Sequence, residues 1–346
     1  MMFVRKTIKE TRSTTAARIA RISLSVVALA FALSVTAPAQ EYSNWSAAVN
    51  LGPVVNSSAN DQHPTISKDG LTMIFVSTRP PSAGNDLWVT ERDSIDDPWG
   101  PPVNLAFLNS PGTDFAPEFS TDGHWLFFHS DRPGACGGTV NTDIYAAHRN
   151  NKRDPFGWDE IDHLGCTLNT VATDAGPTVF QDPVTGVFTM YINRNLLIPP
   201  DTEGFDIYAS TCSADISSCN RLQLWGPAIY VPELSYPGFR DTRTAIRRRD
   251  GLEMILTSSR PGGCGSQDLW VSIRATTDEP WSTPINIDPI NPATGHPTCV
   301  TNSSAIDGAM AISWDGTELY FFSNRPGFGG NDLYRATRHK LTGAQN

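Results

Sequence analysis

The chain has 346 residues and a formal net charge of −10, with 36 acidic and 26 basic residues. This acidic balance, without a stripe of Lys and Arg interleaved with aromatic residues, argues against nucleic acid as a partner. The length allows a large buried core in one domain of repeats or in two domains, and composition alone does not choose between them.

Residues 1–39 differ from the rest of the chain. They carry six basic residues and one acid, followed by an apolar run at residues 22–36 and an Ala-Pro-Ala ending at residues 37–39. This order is typical of a cleavable signal peptide. The apolar run covers 15 positions, whereas a membrane span needs about 20; an uncleaved anchor is the alternative. We predict a periplasmic or secreted protein without stable membrane insertion and with a mature net charge near −15.

The first predicted strand after this segment lies at residues 44–52, and its Trp-Val-Asn-Leu pattern recurs at residues 98–105. A repeat begins between the two segments. Its first copy contains, in order, Asp61, Pro64, Asp69, Gly70, Arg79, an Asp-Leu-Trp segment at residues 86–88, and Trp99. A repeat of this kind is the signature of an array of equivalent structural units.

The same order of residues returns four more times along the chain, with the third copy the most divergent and Asp241 of the fourth copy one place out of register. The distance from turn acid to arginine is ten residues in four copies and twelve in the third. The turn acids are Asp69, Asp122, Asp182, Asp250 and Asp315, and the arginines, here called the loop arginines, are Arg79, Arg132, Arg194, Arg260 and Arg325.

Each copy predicts four short strands, with an Asp-Gly hairpin turn between the first and the second in four copies and an enlarged turn at residues 182–186 in the third. The second strands, such as residues 71–76, 124–128 and 318–322, are apolar on both alternating faces. Both faces must then be buried, which fits a propeller blade packed between two neighbours better than a sandwich sheet. We predict an all-β, five-bladed propeller of four-stranded antiparallel blades in one domain from residue 40 to 346, with blades at about 56–105, 106–165, 166–230, 231–287 and 288–340.

The fifth copy lacks a fourth strand, because no Trp follows its Asp-Leu-Tyr segment at residues 332–334. The missing strand is present at the other end of the chain, at residues 44–52. We therefore predict that the N-terminal strand completes the last blade and closes the ring, which removes two free sheet edges. Outside the signal segment, no convincing helical periodicity is found.

All six cysteines follow residue 39, as expected of disulfides in an exported chain. Of the possible pairings, a short-range scheme places one bridge in or beside each of three successive copies. It joins Cys136 to Cys166, Cys212 to Cys219, and Cys264 to Cys299. No Cys-x-x-Cys pair and no zinc-like spacing of histidines occurs in the sequence, so we predict no metal and no cofactor.

The first copy resembles the TolB-type, WD-repeat-like propeller repeat in its order of Asp61, Pro64, the turn at residues 67–70, the Asp-Leu-Trp segment at 86–88 and the segment at 99–105. The resemblance covers about residues 45–340. It implies a bacterial envelope propeller that serves as a protein-binding platform or is attached to a peptidoglycan-binding module. The family's typical ring has six blades, whereas five copies are counted here, and the repeats leave no room for an attached module.

Five acids open the first strands of the copies and are predicted to form a ring around the channel axis. As converging carboxylates, these ring acids could bind a sugar, a cation or a peptide amine. Alternatively, each accepts hydrogen bonds from loop amides of its own blade, which its recurrence in every copy favours. The ring acids are Asp61, Asp114, Asp174, Asp241 and Asp307.

Glu118 is the least symmetric acid, because we place Thr65, Thr178, Ile246 and Ala311 at its equivalent positions. It is the leading single candidate for a catalytic acid, and a solvated channel residue is the alternative. The loop arginines are expected to pair with acids that begin the third strands, with an anion-binding ring as the alternative. These loop acids are Asp86, Asp143, Asp206, Asp268 and Asp332.

Other conspicuous side chains have structural interpretations. His63 and His129 are not repeated in the other copies, and each is expected to be an ordinary loop or strand histidine. The aromatic residues at positions 88, 145, 208, 270 and 334 recur with the blades and are expected to pack between them. No nucleophile elbow, zinc-protease motif or phosphate loop is found.

Two functions are compatible with these patterns. The first is a monomeric envelope scaffold that binds a protein or a cell-wall saccharide through its loop face, using the ring acids and without catalysis. The alternative is a carbohydrate-active enzyme of the glycoside hydrolase kind, with axial carboxylates from Glu118, Asp61 and Asp174.

Overall fold

The computed structural model describes residues 42–82, 84–134, 136, 141–196 and 204–341, and the described residues belong to one compact unit. The predicted signal peptide lies outside them and stays a prediction. No helix among the described residues is long and apolar enough to cross a membrane.

Strand β1 (Val49–Asn50) comes first in the chain, and the other strands follow blade by blade. The first blade contains β2 (Asp61–Ile66), β3 (Thr72–Ser77), β4 (Asp86–Glu91) and β5 (Val103–Asn104). The second contains β6 (Asp114–Phe119), β7 (Trp125–Ser130), β8 (Asp143–Arg149) and β9 (Trp158–His163). The third contains β10 (Thr173–Gln181), β11 (Phe188–Asn195), β12 (Phe205–Cys212) and β13 (Ile229–Tyr230).

The fourth blade contains β14 (Asp241–Ile246), β15 (Glu253–Ser258), β16 (Asp268–Ile273) and β17 (Ile285–Asn286). The fifth contains β18 (Asp307–Ile312), β19 (Glu318–Ser323) and β20 (Asp332–Thr337), and β1 is its fourth strand. Neighbouring strands in every blade are antiparallel, and the inner strands β2, β6, β10, β14 and β18 contact one another in a closed ring. The predicted five-bladed propeller is confirmed.

Ring closure is also confirmed. Val49 pairs with Arg335 and Asn50 with Tyr334, so the N-terminal strand lies against the last strand of the chain. An isolated bridge joins Tyr42 to Lys340 just outside this pair. The first and last segments of the described chain therefore belong to the same sheet.

The second strand of each blade carries the core. All side chains of β3, β7 and β15 are buried on both faces, as the doubly apolar pattern predicts. Phe119 of the second blade shares a buried cluster with Ile74 and Leu87 of the first blade. Burial between blades thus supplies the hydrophobic stabilisation that a single thin sheet lacks.

Each inner strand contains a bulge, at which its pairing with the second strand shifts by one residue. The bulge residue has a positive φ in every blade, which is uncommon for side-chain-bearing residues. These residues are His63 (51°), Ala116 (52°), Gly176 (60°), Arg243 (28°) and Ala309 (42°). Bulges redirect side chains and are frequent near functional sites.

The assignment of Asp241 as one place out of register is wrong. Asp241 pairs with Ser258 as Asp61 pairs with Ser77, and the extra residue of the fourth copy lies in the turn after Ile246. The position equivalent to Glu118 in this blade is consequently Ala245, not Ile246.

A clamp that the sequence analysis missed holds four of the hairpin turns. An arginine at or just after the end of the third strand stacks on a Trp at or shortly before the start of the fourth strand, with 4.3 to 4.5 Å from guanidinium to ring centroid. Its Nε donates to the turn glycine's carbonyl oxygen at 2.6 to 2.9 Å. The pairs are Arg92 with Trp99, Arg149 with Trp158, Arg274 with Trp281, and Arg338 with Trp45.

In the third blade, Cys212 occupies the place of the clamp arginine and forms a disulfide with Cys219. Between the two cysteines, helix α1 (Ile216–Arg221) begins at Asp215, whose side chain accepts a hydrogen bond from Ser218 N. No sequence pattern predicts this helix, because six residues are too few to show a helical period. The other two bridges join Cys136 to Cys166 and Cys264 to Cys299, so the predicted pairing is confirmed.

Candidate functional site at the channel mouth

The loops between the second and third strands and those between blades meet where the inner strands begin. We call this end of the central channel the mouth; the bulges of the five inner strands, at residues 62–63, 115–116, 175–176, 242–243 and 308–309, lie next to it. The ring acids lie at the base of its loops.

All five ring acids are fully buried. One oxygen of each accepts from the loop arginine of the same blade at 2.5 to 2.6 Å. The other oxygen accepts a backbone N–H from the preceding loop, donated by Ser57, Ser110, Thr170, Tyr236 or Ser303. Both oxygens of every ring acid are therefore engaged inside its own blade, as the loop-amide alternative requires.

The predicted pairing of the loop arginines with the loop acids is wrong. The arginines bond the ring acids instead: Arg79 follows Ser77, the strand partner of Asp61, by two residues, and its Nη2 donates to Asp61 and to Val55 O of the preceding loop. The loop acids bond loop amides: Asp143 accepts from Cys136 N at 2.6 Å, and Asp268 accepts from Cys264 N at 2.8 Å. The arginines also cover the buried aromatic residues 88, 145, 208, 270 and 334, which pack between the blades as predicted.

Glu118 lies on β6, buried below the mouth. Its carboxylate accepts from Thr65 Oγ1 and from Arg243 Nη2, each at 3.2 Å, and Arg248 Nη1 lies 4.0 Å away. Burial raises the pKa of Glu118, although the charges of Arg248 and Arg243 and the bond from Thr65 act in the opposite direction. Of the candidate acids, Glu118 is the one bonded to side chains from other blades.

Arg243 and Arg248 fill the channel around Glu118, and the sequence analysis missed both. Arg243 stands at the bulge of β14 and is 1% exposed. It donates to the carbonyl oxygens of Ala116, Pro177 and Pro117, which belong to two other blades. Arg248 donates to Phe119 O at 2.9 Å and to Ile66 O at 2.7 Å. The sequence contains one indication of Arg243, namely that the bulge position carries a permanent cation in the fourth copy alone.

An arc of aromatic rings lines one side of the mouth. The centroid of the Phe115 ring lies 4.2 Å from that of His63 and 5.4 Å from that of His129, and the Phe322 ring stacks on His63 at 5.8 Å. We call these four residues the aromatic arc. Burial, and after it the charge of Arg243, holds the pKa of His63 well below its ordinary value and lowers that of His129 to about 3. Both rings are therefore neutral at pH 7.

Polar amides stand beside the arc. Asn331 Nδ2 donates to Gln62 Oε1 at 2.8 Å, and Gln62 Nε2 donates to Asn85 Oδ1 at 3.4 Å. A mouth that combines aromatic faces with amide groups has the composition of a site for a polar ligand with an apolar face.

A cavity of about 230 Å³ lies elsewhere, on the outer rim between the last and first blades. Its lining includes Val49, Arg92, Trp99 and Arg335, none of which belongs to the mouth. The ring acids and Glu118 are absent from this lining, so the rim cavity and the mouth are separate features.

Cys136, Asp143 and His163 bring three possible metal-ligand atoms within 4.8 Å of one another. However, the sulfur of Cys136 is bonded to Cys166 and is not available as a thiolate. His163 bonds Asp143 at 2.7 Å. It occupies the same strand position as Asn104 of the first blade, which bonds Asp86. These contacts give the cluster a structural role in its loop.

No family model and no curated protein matches the sequence. Solved structures do match the fold. A thermostable family-43 glycoside hydrolase superposes with a TM-score of 0.54 and 14% identity, over 86% of this chain and 95% of that one. The alpha-L-arabinofuranosidase of Podospora anserina in complex with cellotriose gives 0.54 and 10%, over 86% and 97%. A GH62 hydrolase in complex with xylotriose gives 0.51 and 11%, over 87% and 99%.

At these identities the likeness shows the fold alone. It nevertheless corrects the first functional expectation, a binding scaffold without catalysis, because the chain shares its fold over most of its length with glycoside hydrolases.

Proposed function

We propose that this chain is a carbohydrate-active enzyme of the glycoside hydrolase kind, with its saccharide site at the mouth of the channel. The observation that carries the proposal is the aromatic arc beside amide groups, at the axis of a propeller similar in fold to glycoside hydrolases. Two of those similar structures contain cellotriose or xylotriose.

The mouth suits a sugar ring for two reasons. The faces of Phe115 and Phe322 offer apolar surface to the C–H groups of a pyranose or furanose ring. Gln62, Asn85 and Asn331 offer both donors and acceptors, which hydroxyl groups require. A sugar ring presents an apolar face of C–H groups and, next to it, polar hydroxyl groups.

For the chemistry, we assign to Glu118 the role of general acid, the group that donates a proton in the reaction. A general acid must be protonated near neutral pH, and burial raises the pKa of Glu118 in that direction. Asp61 and Asp174, the other candidate acids, are held by Arg79 and Arg194. The bond from Arg243 Nη2 covers Glu118 Oε2, so a substrate oxygen reaches the carboxyl only when that guanidinium moves aside.

The test compares the full chain with its Glu118→Gln variant on aryl arabinofuranosides, aryl xylosides and neutral oligosaccharides, with released reducing sugar as the readout. We expect activity in the parent chain and at least a hundredfold loss in the variant, because the amide cannot donate the proton. Glu279→Gln, at an exposed position, is the matched control. Equal rates in the parent chain and in Glu118→Gln would remove the acid assignment, and absence of any release and any binding would refute the proposed function.

The cellular setting follows from the same proposal. Three disulfides among the described residues favour an oxidising compartment, and with residues 1–39 they support export to the periplasm or beyond. We further propose that the chain works as a monomer and that its repeat is related to the TolB-type repeat. Both statements stay predictions.

A further inference from the structure

Two arginines at the mouth break the fivefold pattern of the blades. The residue before each ring acid is uncharged in four blades, as Asn60, Thr113, Thr173 or Ile306, but in the fourth blade it is Arg240. The bulge residue is likewise uncharged at neutral pH in four blades and Arg243 in the fourth. Side chains that hold a blade together recur in every blade, so a cation present in one blade alone requires another explanation.

Arg240 has no carboxylate partner among the described residues. Its guanidinium lies 5.1 Å from the centroid of the Phe205 ring, and its Nε is buried without an acceptor. Arg243 contacts a single carboxylate, that of Glu118, and its Nε also lacks an acceptor although the side chain is 1% exposed. A buried donor without a partner is unfavourable, and an incoming acceptor would satisfy it.

Around Glu118 the cations outnumber the acids, although the chain as a whole carries −10. Each ring acid is neutralised by its loop arginine, and Arg243 and Arg248 both stand beside one carboxyl group, that of Glu118. The loop acids, such as Asp143 and Asp268, are held by loop amides. The exposed Asp131 stands on the second blade, where it accepts the backbone N–H of Thr113. In an acidic protein, a cationic recess with low-dielectric walls concentrates negatively charged ligands.

We propose that the mouth recognises an acidic saccharide, in which a carboxylate of a uronic acid unit bonds Arg240 above the channel floor formed by Arg243. This inference rests on the proposed function and specifies its substrate class. A planar guanidinium binds a carboxylate through two parallel hydrogen bonds, and Phe205 restricts its rotation. The aromatic arc on the opposite side of the mouth receives the ring face of the neighbouring sugar unit.

The experiment measures binding of uronic acid oligosaccharides to the full chain by calorimetry, each beside its methyl ester. The ester keeps the sugar backbone and removes the negative charge. We expect the acid form to bind at least tenfold more tightly than the ester, and we expect the advantage to shrink as salt is added. Arg240→Gln should abolish the preference, because it weakens binding of the acid form at least tenfold more than binding of the ester. Lys68→Gln, an exposed cation on the hairpin turn at the opposite end of the blade, is the control and should keep the preference.

The outcomes separate the two proposals. Equal affinity for acid and ester, or an acid preference that survives Arg240→Gln, overturns the acidic-saccharide inference and leaves a saccharide site at the mouth intact. Binding of neither form, together with no binding of neutral oligosaccharides, overturns both proposals. A melting temperature equal to that of the parent chain shows that Arg240→Gln acts on the ligand and not on folding.

Discussion

Arg243 joins three blades through one side chain. Its guanidinium donates to Ala116 O and Pro117 O in the second blade, to Pro177 O in the third, and to Glu118. A charge at this depth is tolerated because fixed carbonyl dipoles and one carboxylate replace the water it has lost. The same bonds hold the walls of the channel together at the level of the bulges.

We expect Arg243→Met to lower the free energy of unfolding by about 3 to 5 kcal/mol, because it leaves Glu118 and three carbonyl groups buried without their donor. Urea unfolding followed by tryptophan fluorescence gives the value. Arg153→Met, on an exposed turn, should change it by less than about 0.5 kcal/mol. A loss at Arg243 no larger than that of the control would show that the guanidinium does not hold the channel together.

His129 makes the stability of the protein depend on pH. Its pKa is lowered to about 3 by burial and then by Arg243, whereas an ordinary histidine titrates near 6.5. Between these values the unfolded chain binds a proton that the folded chain does not. The histidine therefore contributes stability above pH 6.5 that is lost as the pH falls toward 3, by about 1.4 kcal/mol per pH unit.

Chemical denaturation at a series of pH values between 7 and 4 measures this dependence. The His129→Gln variant should show a smaller decline, since the amide does not titrate, and His63, whose pKa is also lowered, should account for part of the decline that remains. His296→Gln, at an exposed position, should leave the decline as in the parent chain. An acid sensitivity unchanged by His129→Gln would assign the decline to other groups.

At the scale of a single blade, the arginine-tryptophan clamp determines how firmly the hairpin turn is held. Arg274 stacks on Trp281 at 4.3 Å and donates to Gly251 O at 2.8 Å. We expect Arg274→Gln to lower the free energy of unfolding by about 1 to 2 kcal/mol, through loss of the stack and of the bond. Hydrogen exchange should also speed up in the turn at residues 247–252 and not in the corresponding turn of the second blade. Uniform acceleration across blades would contradict a local clamp.

The elements that repeat could be predicted from the sequence, and those that do not repeat could not. Five copies of one residue order predict the strands and their burial, and cysteines that lie within one copy or in neighbouring copies predict the disulfide pairing. The spacing of the loop arginines is compatible with Asp86 and its equivalents, and the folded loops place them on Asp61 and its equivalents instead. Arg194 shows the same difficulty, because it stands at the strand position of Ser77 and not at that of Arg79.

The candidate site depends even more on long-range contacts. Glu118 is conspicuous in the sequence because its charge is not repeated, and the structure places it among side chains from two other blades. Its partners Arg243 and Arg248 are more than a hundred residues away in the chain. No local pattern specifies such a pairing, and only the closed ring brings the two segments to the axis.

The whole molecule depends on a two-residue strand. β1 gives the last blade its fourth strand, and the neighbouring Trp45 stacks under Arg338 at 4.3 Å. Asn50 Nδ2 also donates to Asp332 at 2.9 Å, and Asn56 Nδ2 donates to Leu333 O at 3.0 Å. The ring is thereby closed by contacts between residues nearly 300 positions apart.

Deletion of residues 42–52 should therefore lower the melting temperature sharply or prevent folding, since it exposes β20 and empties the place of Trp45 in the core. A circular permutant, with residues 42–56 moved behind residue 341 through a flexible linker, retains the same contacts with a different chain order. We expect the permutant to fold and to recover most of the lost stability, as measured by calorimetry. If the deletion melts at the temperature of the parent chain, closure by the N-terminal strand does not stabilise the ring. If the deletion is destabilised and the permutant fails to recover, the strand acts through its covalent connection to the first blade, not through its pairing with the last.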